Sequence, residues 1–297
     1  MKNSAPPEKQ KNFKMRDSLI VKPTPGNADY QYITPGSAGW QHLSFAARTM
    51  KKGDVWTADT GNNEYGIILL GGNYSVKSNR GSWETRNGRK DVFSGIAHTL
   101  YLPANTRFEL KAESDVLDLA YGWCATDRQL EPVFKTPEEA EIEIRGGDNA
   151  TRQINSLIQP GFPCDRLVAV EVYTPSGNWS SFPAHKHDER ITDADGNVLE
   201  ACLEETYFYK IDKPQGYAIQ QVYTADRSLD VVNVVHDNEV VLVPRGYHPV
   251  VAGHGYNVYY LNFLAGSDQS LANTPDPDHS WIFGSWKGRD ERIPMVK

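Results

Sequence analysis

The sequence predicts an all-β protein made of two similar tandem domains, and three observations lead there. Apolar segments are short and rich in β-branched and aromatic residues, and Gly, Pro, Asn or Asp bound each one. The same order of features occurs twice along the chain. Helical periodicity is confined to one stretch near the middle.

Residues 1–14, MKNSAPPEKQKNFK, are charged and Pro-containing and are expected to be disordered. They hold no apolar run of signal-peptide length, and nowhere do about 18 consecutive apolar residues appear, so a cytoplasmic protein without membrane spans is expected. The first domain is expected over residues 15–130, with strands at YGIILLGG, HTLYLPA and VLDLAYGW. Residues 131–160 read as a short, partly helical connector. Within it, Thr136–Gln159 opens on Thr-Pro followed by two Glu, a helix-start signal. The second domain, residues 161–297, carries strands at RLVAVEVYT, ETYFYKI, YAIQQVYT, EVVLVPRG and NVYYLNFLAG. The duplication rests on spacing: Glu205 precedes Pro244 by 39 residues, and Glu64 precedes Pro103 by the same 39. Each proline follows an apolar strand and is followed by an aromatic one, DLAYGWCA or NVYYLNFLAG.

Composition narrows the function. The 297 residues are 39% hydrophobic and 11% aromatic, which is globular. A net charge of -7 argues against nucleic acid or an anionic membrane surface as partner. Cys124, Cys164 and Cys202 are odd in number and far apart, which suggests neither a disulfide framework nor a thiolate metal site.

The stretch SSFPAHKHDER carries the chemistry. Residues i and i+2 of a strand face one side about 6.6 Å apart, so His185 and His187 can converge on one ion while Lys186 points away. Two imidazoles alone seldom make a tight site, and further donors must come from other strands. Glu205 opens ETYFYKI and His248 follows the turn in VPRGYHPVV. Three neutral imidazoles and a carboxylate suit Zn, Mn, Fe, Co or Ni with positions left for a substrate, and do not suit calcium. Glu200, Glu204 and Glu205 are alternatives for the carboxylate. Glu205 is preferred because it directly precedes the alternating aromatics, with Tyr207 and Tyr209 on its inward face. In the first half, Thr57, Asp59, Thr60 and Arg107 stand where the second half has histidines, so that domain is expected to be metal-free.

His-x-His, then Glu, then Pro-x-Gly with a nearby His, set among short strands, resembles the two motifs of the cupin superfamily, whose barrel belongs with the jelly rolls. The resemblance implies two tandem cupin barrels. Two departures are visible: 17 residues separate His187 from Glu205, and one residue rather than two separates Gly246 from His248. EVYTPSGNWSSFPAHKHDE, LEETYFYKI, PQGYAIQQVYT, DRSLD and VLVPRGYHPVVAGHGYNVYYLNFLAG are similar to one cupin family, the 5-deoxy-glucuronate isomerases of myo-inositol catabolism. The similarity runs from about Leu167 to Gly266 and resumes at DPDHSWI. The sister family, the 5-dehydro-4-deoxy-uronate isomerases of pectin breakdown, shares fewer of these pieces.

What the resemblance implies is an aldose–ketose isomerisation of a small sugar acid. His185, His187, Glu205 and His248 are expected around one divalent ion, zinc or manganese. The ligands leave the catalytic base unassigned, with Tyr207, Tyr209, Lys186 and Asp188 as candidates. Arg227, Arg245 and Tyr223 are candidates for substrate binding, because guanidinium forks match carboxylates. His236, His254 and His279 have no spacing argument. A homo-oligomer is compatible with the sequence. The rival readings are a cupin dioxygenase and a non-enzymatic sugar-binding cupin.

Overall fold

The computed structural model describes residues 19–297, and in it nearly every apolar stretch is a strand. The expectation for residues 1–14 lies outside the described residues. Among those described, helix is limited to a four-residue turn at Pro35–Ala38 and short 3-10 turns, and no helix is long and apolar enough to cross a membrane.

Each half folds as a larger and a smaller antiparallel sheet. In the first half the larger sheet runs Val133–Lys135, Thr99–Leu102, Asn63–Gly71, Val116–Ala125, Ser44–Lys51, Asp29–Ile33. The smaller runs Val55–Asp59, Arg107–Ala112, Tyr74–Ser78, Gly81–Glu84. In the second half a seven-stranded sheet runs Ile20–Val21, Val240–Val243, Leu203–Ile211, Val258–Gly266, Val168–Thr174, Arg152–Ile158, Glu141–Arg145. Its companion is Trp179–Ser180, Val250–Ala252, Ala218–Tyr223, Asp230–Val235.

Strand alternation divides the apolar residues among three large clusters. Ile67 and Leu69 turn into the first barrel, while Ile68 and Leu70 turn toward the other half. The run IILL is therefore a strand buried on both faces. Between the larger sheets Phe45, Ile68 and Ala120 meet Phe208, Leu261 and Phe263, and Tyr209, Val222 and Val258 fill the second barrel. Gly122 leaves room for the Phe263 ring of the other half, since a Cβ there would sit 2.4 Å from it.

Apart from the extra edge strand Glu141–Arg145 the larger and smaller sheets of the two halves correspond, and the ladder register corrects one pairing. Tyr65 faces Leu102 just before Pro103, as Glu205 faces Val243 just before Pro244. The equivalent of Glu205 is thus Tyr65, and Glu64 matches Glu204. The equal spacing of 39 joined two glutamates that face opposite ways, since one residue changes the face of a strand. Glu64 accepts the backbone N–H groups of Asp165, Arg166 and Leu167 at 2.7, 2.7 and 3.0 Å. Glu204 accepts those of Gln41, His42 and Leu43, the last two at 2.8 Å. Each carboxylate grips the loop that leads into a central strand of the other half. The halves also exchange edges: Ile20–Val21 pairs with Val240–Val243 of the second, and Val133–Lys135 with Thr99–Leu102 of the first.

Half of Thr136–Gln159 is strand, and none of it is α-helix. The Thr-Pro-Glu-Glu signal makes only the 3-10 turn Pro137–Glu139, in which Glu139 accepts from Thr136 N at 2.8 Å. Glu141–Arg145 is the antiparallel edge strand of the seven-stranded sheet, and Arg152–Ile158 is the strand beside it. The period-two alternation of EIEIR outweighs the capping signal, and these strands border the cavity of the second barrel.

Candidate metal centre and substrate cavity

Three segments bring His187, Glu205 and His248 together, and local hydrogen bonds set each side chain. Leu203 N donates to His187 O at 3.0 Å, and His187 Nδ1 donates to Leu203 O at 3.1 Å. His248 Nδ1 donates to Gly246 O at 2.8 Å. Gly246 has φ +91°, and a Cβ there would lie 2.4 Å from Tyr223 O, so the turn that presents His248 requires glycine. A carbonyl can only accept, so both rings carry a proton on Nδ1 and turn Nε2 toward Glu205.

Glu205 Oε2 lies 2.9 Å from His187 Nε2 and 3.3 Å from His248 Nε2, and the donor atoms of the three residues all lie within 4.8 Å of one another. All three are buried. Burial lowers the pKa of His185 and His248 to about 3, so both are uncharged at neutral pH. Burial also acts on His187, but its hydrogen bond to Glu205 and the charge there outweigh it and raise the pKa. Two imidazole nitrogens beside one carboxylate oxygen need a cation between them. A proton meets that need at His187, yet His248 Nε2 remains buried without a hydrogen-bond partner. A divalent ion meets both, and two imidazoles with a carboxylate are donors that fit one of the borderline kind. His185 stands at the edge of this cluster, its ring 4.8 Å from that of His248.

The cluster opens on a cavity of about 310 Å³, at the small end of the usual range for small-molecule sites. His185, Tyr207 and Tyr260 line it, with Arg145 and Arg152 from the last two strands of the seven-stranded sheet. The Tyr207 hydroxyl is 2.9 Å from Ser181 Oγ, which also lies 3.2 Å from the Tyr260 hydroxyl.

Residues 19–282 of the chain match the KduI/IolB family. The chain belongs to that family. It is 40% identical over 257 residues to the 5-deoxy-glucuronate isomerase of Geobacillus kaustophilus (strain HTA426), across 85% of this chain and 90% of that one. The 5-deoxy-glucuronate isomerase of Bacillus subtilis (strain 168) is 34% identical over 252 residues, across 84% and 91%. Among solved structures, an IolB-like protein from Salmonella typhimurium LT2 matches with a TM-score of 0.84 at 36% identity, across 89% of this chain and 99% of that one. The oxalate decarboxylase of Lactobacillus farciminis, solved as its formate complex, matches with a TM-score of 0.58 at 12% identity, across 86% and 89%. That last likeness is one of fold, the tandem cupin barrels.

Within this KduI/IolB chain the three glutamates proposed as alternatives have separate places. Glu205 is in the cluster and Glu204 grips the other half. Glu200, fully buried, accepts from Lys186 Nζ and Asp188 N, both at 2.8 Å, and from Thr274 Oγ1. Asp188 in turn accepts from Gly246 N at 2.7 Å, tying the histidine segment to the turn that carries His248. Lys186 and Asp188 thus anchor the cluster from outside the cavity. Tyr209 lies beyond Tyr207, its hydroxyl donating to Gln220 Oε1 at 2.8 Å.

The substrate-binding candidates lie elsewhere. Arg227 stacks on Tyr223, 4.1 Å from the ring centre, and pairs with Asp230 at 3.2 Å in an exposed turn. Tyr223 donates to Asp276 at 2.6 Å, and Arg245 is 3.4 Å from Ser228 Oγ at the surface. None of the three lines the cavity. Arg145 and Arg152 do, and the sequence reading missed them because their segment read as helix. A signal was present: Arg152, Ile154 and Ser156 alternate in one strand and all face the cavity.

Proposed function

We propose that the cavity is the active site of a 5-deoxy-glucuronate isomerase, converting the aldose 5-deoxy-D-glucuronate to the ketose 5-dehydro-2-deoxy-D-gluconate in inositol catabolism. His187, Glu205 and His248, with His185 beside them, hold one divalent ion, zinc or manganese. The observation that carries this reading is the buried, unpartnered His248 Nε2 beside Glu205, at a cavity of sugar-acid size in a KduI/IolB chain. When bound, such an ion supplies Lewis-acid polarisation of oxygens on adjacent substrate carbons.

The isomerisation moves the C2 proton to C1 and transfers a hydroxyl proton from the C2 oxygen to the C1 oxygen. Burial holds the Tyr207 pKa well above its ordinary value and raises that of Tyr260. Both phenols stay protonated and can donate to oxygens that gain negative charge. Ser181 fixes the two hydroxyls relative to each other, so their orientation needs no rearrangement during the reaction. Leu203, Leu264 and Leu271 give the cavity apolar walls that limit water around the reacting carbons. A reducing, cytoplasmic setting belongs to the same reading, in line with the free thiols of Cys124 and Cys164.

The test is metal analysis coupled to isomerase assays with 5-deoxy-D-glucuronate and, in parallel, 5-dehydro-4-deoxy-D-glucuronate under anaerobic conditions. Turnover of the first with metal bound is expected. Turnover of only the second would move the protein to the pectin-pathway activity, and a strict need for oxygen would replace isomerase by oxygenase.

A further inference from the structure

We infer that Arg152 is the residue that recognises the substrate carboxylate, an assignment that rests on the isomerase reading and gives it an orientation. Arg152 is only 5% exposed and borders the cavity. Among the described residues no carboxylate lies within ion-pair distance of it, and its hydrogen bonds go from Nη1 to the neutral carbonyls of Ala150 and Phe182, at 3.2 and 2.8 Å. An unpaired buried cation is costly, and proteins ordinarily supply a counterion.

This fold supplies one elsewhere. Arg89, also buried, meets the fully buried Glu171 at 2.8 Å. Arg145, the register partner of Arg152, is paired with Glu143 at 2.6 Å. Arg152 alone among these three arginines has its cavity side open and its charge unmatched. Burial lowers its pKa only to about 10, so the charge persists at neutral pH. Of the two arginines that line the cavity, Arg145 is paired with Glu143 and Arg152 is not paired with any described carboxylate.

The bond to Phe182 O fixes the guanidinium against the segment that leads to His185, next to Ser181 and the phenols of Tyr207 and Tyr260. A carboxylate there meets a planar fork of donors with hydroxyls nearby, the arrangement that guanidinium–carboxylate recognition uses. The substrate carries its charge at C6 and its aldehyde at C1. Holding C6 on Arg152 leaves C1 and C2 for the His187–Glu205–His248 cluster and discriminates acids from neutral sugars of the same length.

The experiment compares 5-deoxy-D-glucuronate with 5-deoxy-D-glucose, in which a hydroxymethyl group replaces the carboxylate, in the wild type, Arg152→Gln and Arg152→Lys. Arg152→Gln is expected to lower kcat/KM for the acid by about 100-fold, mainly through KM, with the alcohol little changed. Arg152→Lys keeps charge without the fork and is expected to fall between. Equal losses for acid and alcohol would assign Arg152 to structure alone and overturn the inference; should Arg152→Gln not fold, an unchanged acid preference in Arg152→Lys does the same. Calorimetric titration with D-glucuronate against D-glucose separates this from the isomerase reading. If the wild type turns over no 5-deoxy-D-glucuronate, a preference for the acid that vanishes in the variants still supports the subsite, and equal binding of the two sugars removes it.

Discussion

Glu64→Gln tests whether the halves are held together by buried carboxylates. Glu64 is fully buried, with Asp165 N and the Tyr101 hydroxyl on Oε2 and with Arg166 N and Leu167 N on Oε1. A glutamine of the same shape must place its NH₂ against one of these sets. Toward Oε1 it would orphan two backbone donors, so it turns toward Oε2, where Tyr101 can rotate to accept and only Asp165 N is lost. One orphaned donor costs about 1–3 kcal/mol, and replacing the charged acceptor weakens the two remaining bonds by about 1 kcal/mol each. The sum is about 3–5 kcal/mol, a fall in Tm of roughly 5–8 °C for a chain of this size. Scanning calorimetry measures it, with metal content and turnover at 25 °C expected to stay at wild-type level. Glu204→Gln is expected to cost less, because Gln41 is exposed and its N–H can find water. A Tm within about 2 °C of wild type, or loss of metal from the folded variant, would refute the placement of Glu64 between the halves.

Glu171→Gln leaves Arg89 buried without its counterion and is expected to destabilise by about 3–5 kcal/mol in chemical denaturation, whereas removing both charges together recovers part of the loss. Gly246→Ala forces a side chain onto a φ of +91° and against Tyr223 O, displacing His248; a metal titration is expected to show about 10–100-fold weaker binding in a folded protein. Burial, with Arg89 adding to it and Glu138 opposing it, lowers the pKa of His98. The unfolded chain therefore takes up a proton below about pH 6.5 that the folded chain resists, and stability falls with acid by up to about 1.4 kcal/mol per pH unit. His98→Phe removes that contribution, so its Tm is expected to drop less between pH 7 and pH 5 than that of the wild type.

The strands were legible because β-branched and aromatic runs bounded by turn residues have few other uses, and the run IILL could be read as a strand even though both its faces are buried. The cluster of His187, Glu205 and His248 could be anticipated for a different reason: the His-x-His segment and the Pro-x-Gly turn place side chains by backbone geometry. What misled was a matter of one residue or of competing signals. Glu64 and Glu205 share a spacing but not a face, and only the ladder partners Leu102 and Val243 reveal it. Thr136 to Glu139 carries a helix-start signal that the following EIEIR strand overrides, and that signal masks the strand positions of Arg145 and Arg152. Arg227 and Arg245 had the right chemistry, but their place depends on long-range packing that no local pattern encodes.

The most direct measurement is the metal content and 5-deoxy-D-glucuronate turnover of the purified wild type beside His248→Ala, each with a thermal melt to establish folding. About one divalent ion per chain with turnover in the wild type, and loss of both in a folded His248→Ala, is the expected result. A folded His248→Ala that keeps its ion and its turnover would contradict the assignment of His187, Glu205 and His248 as the reacting centre.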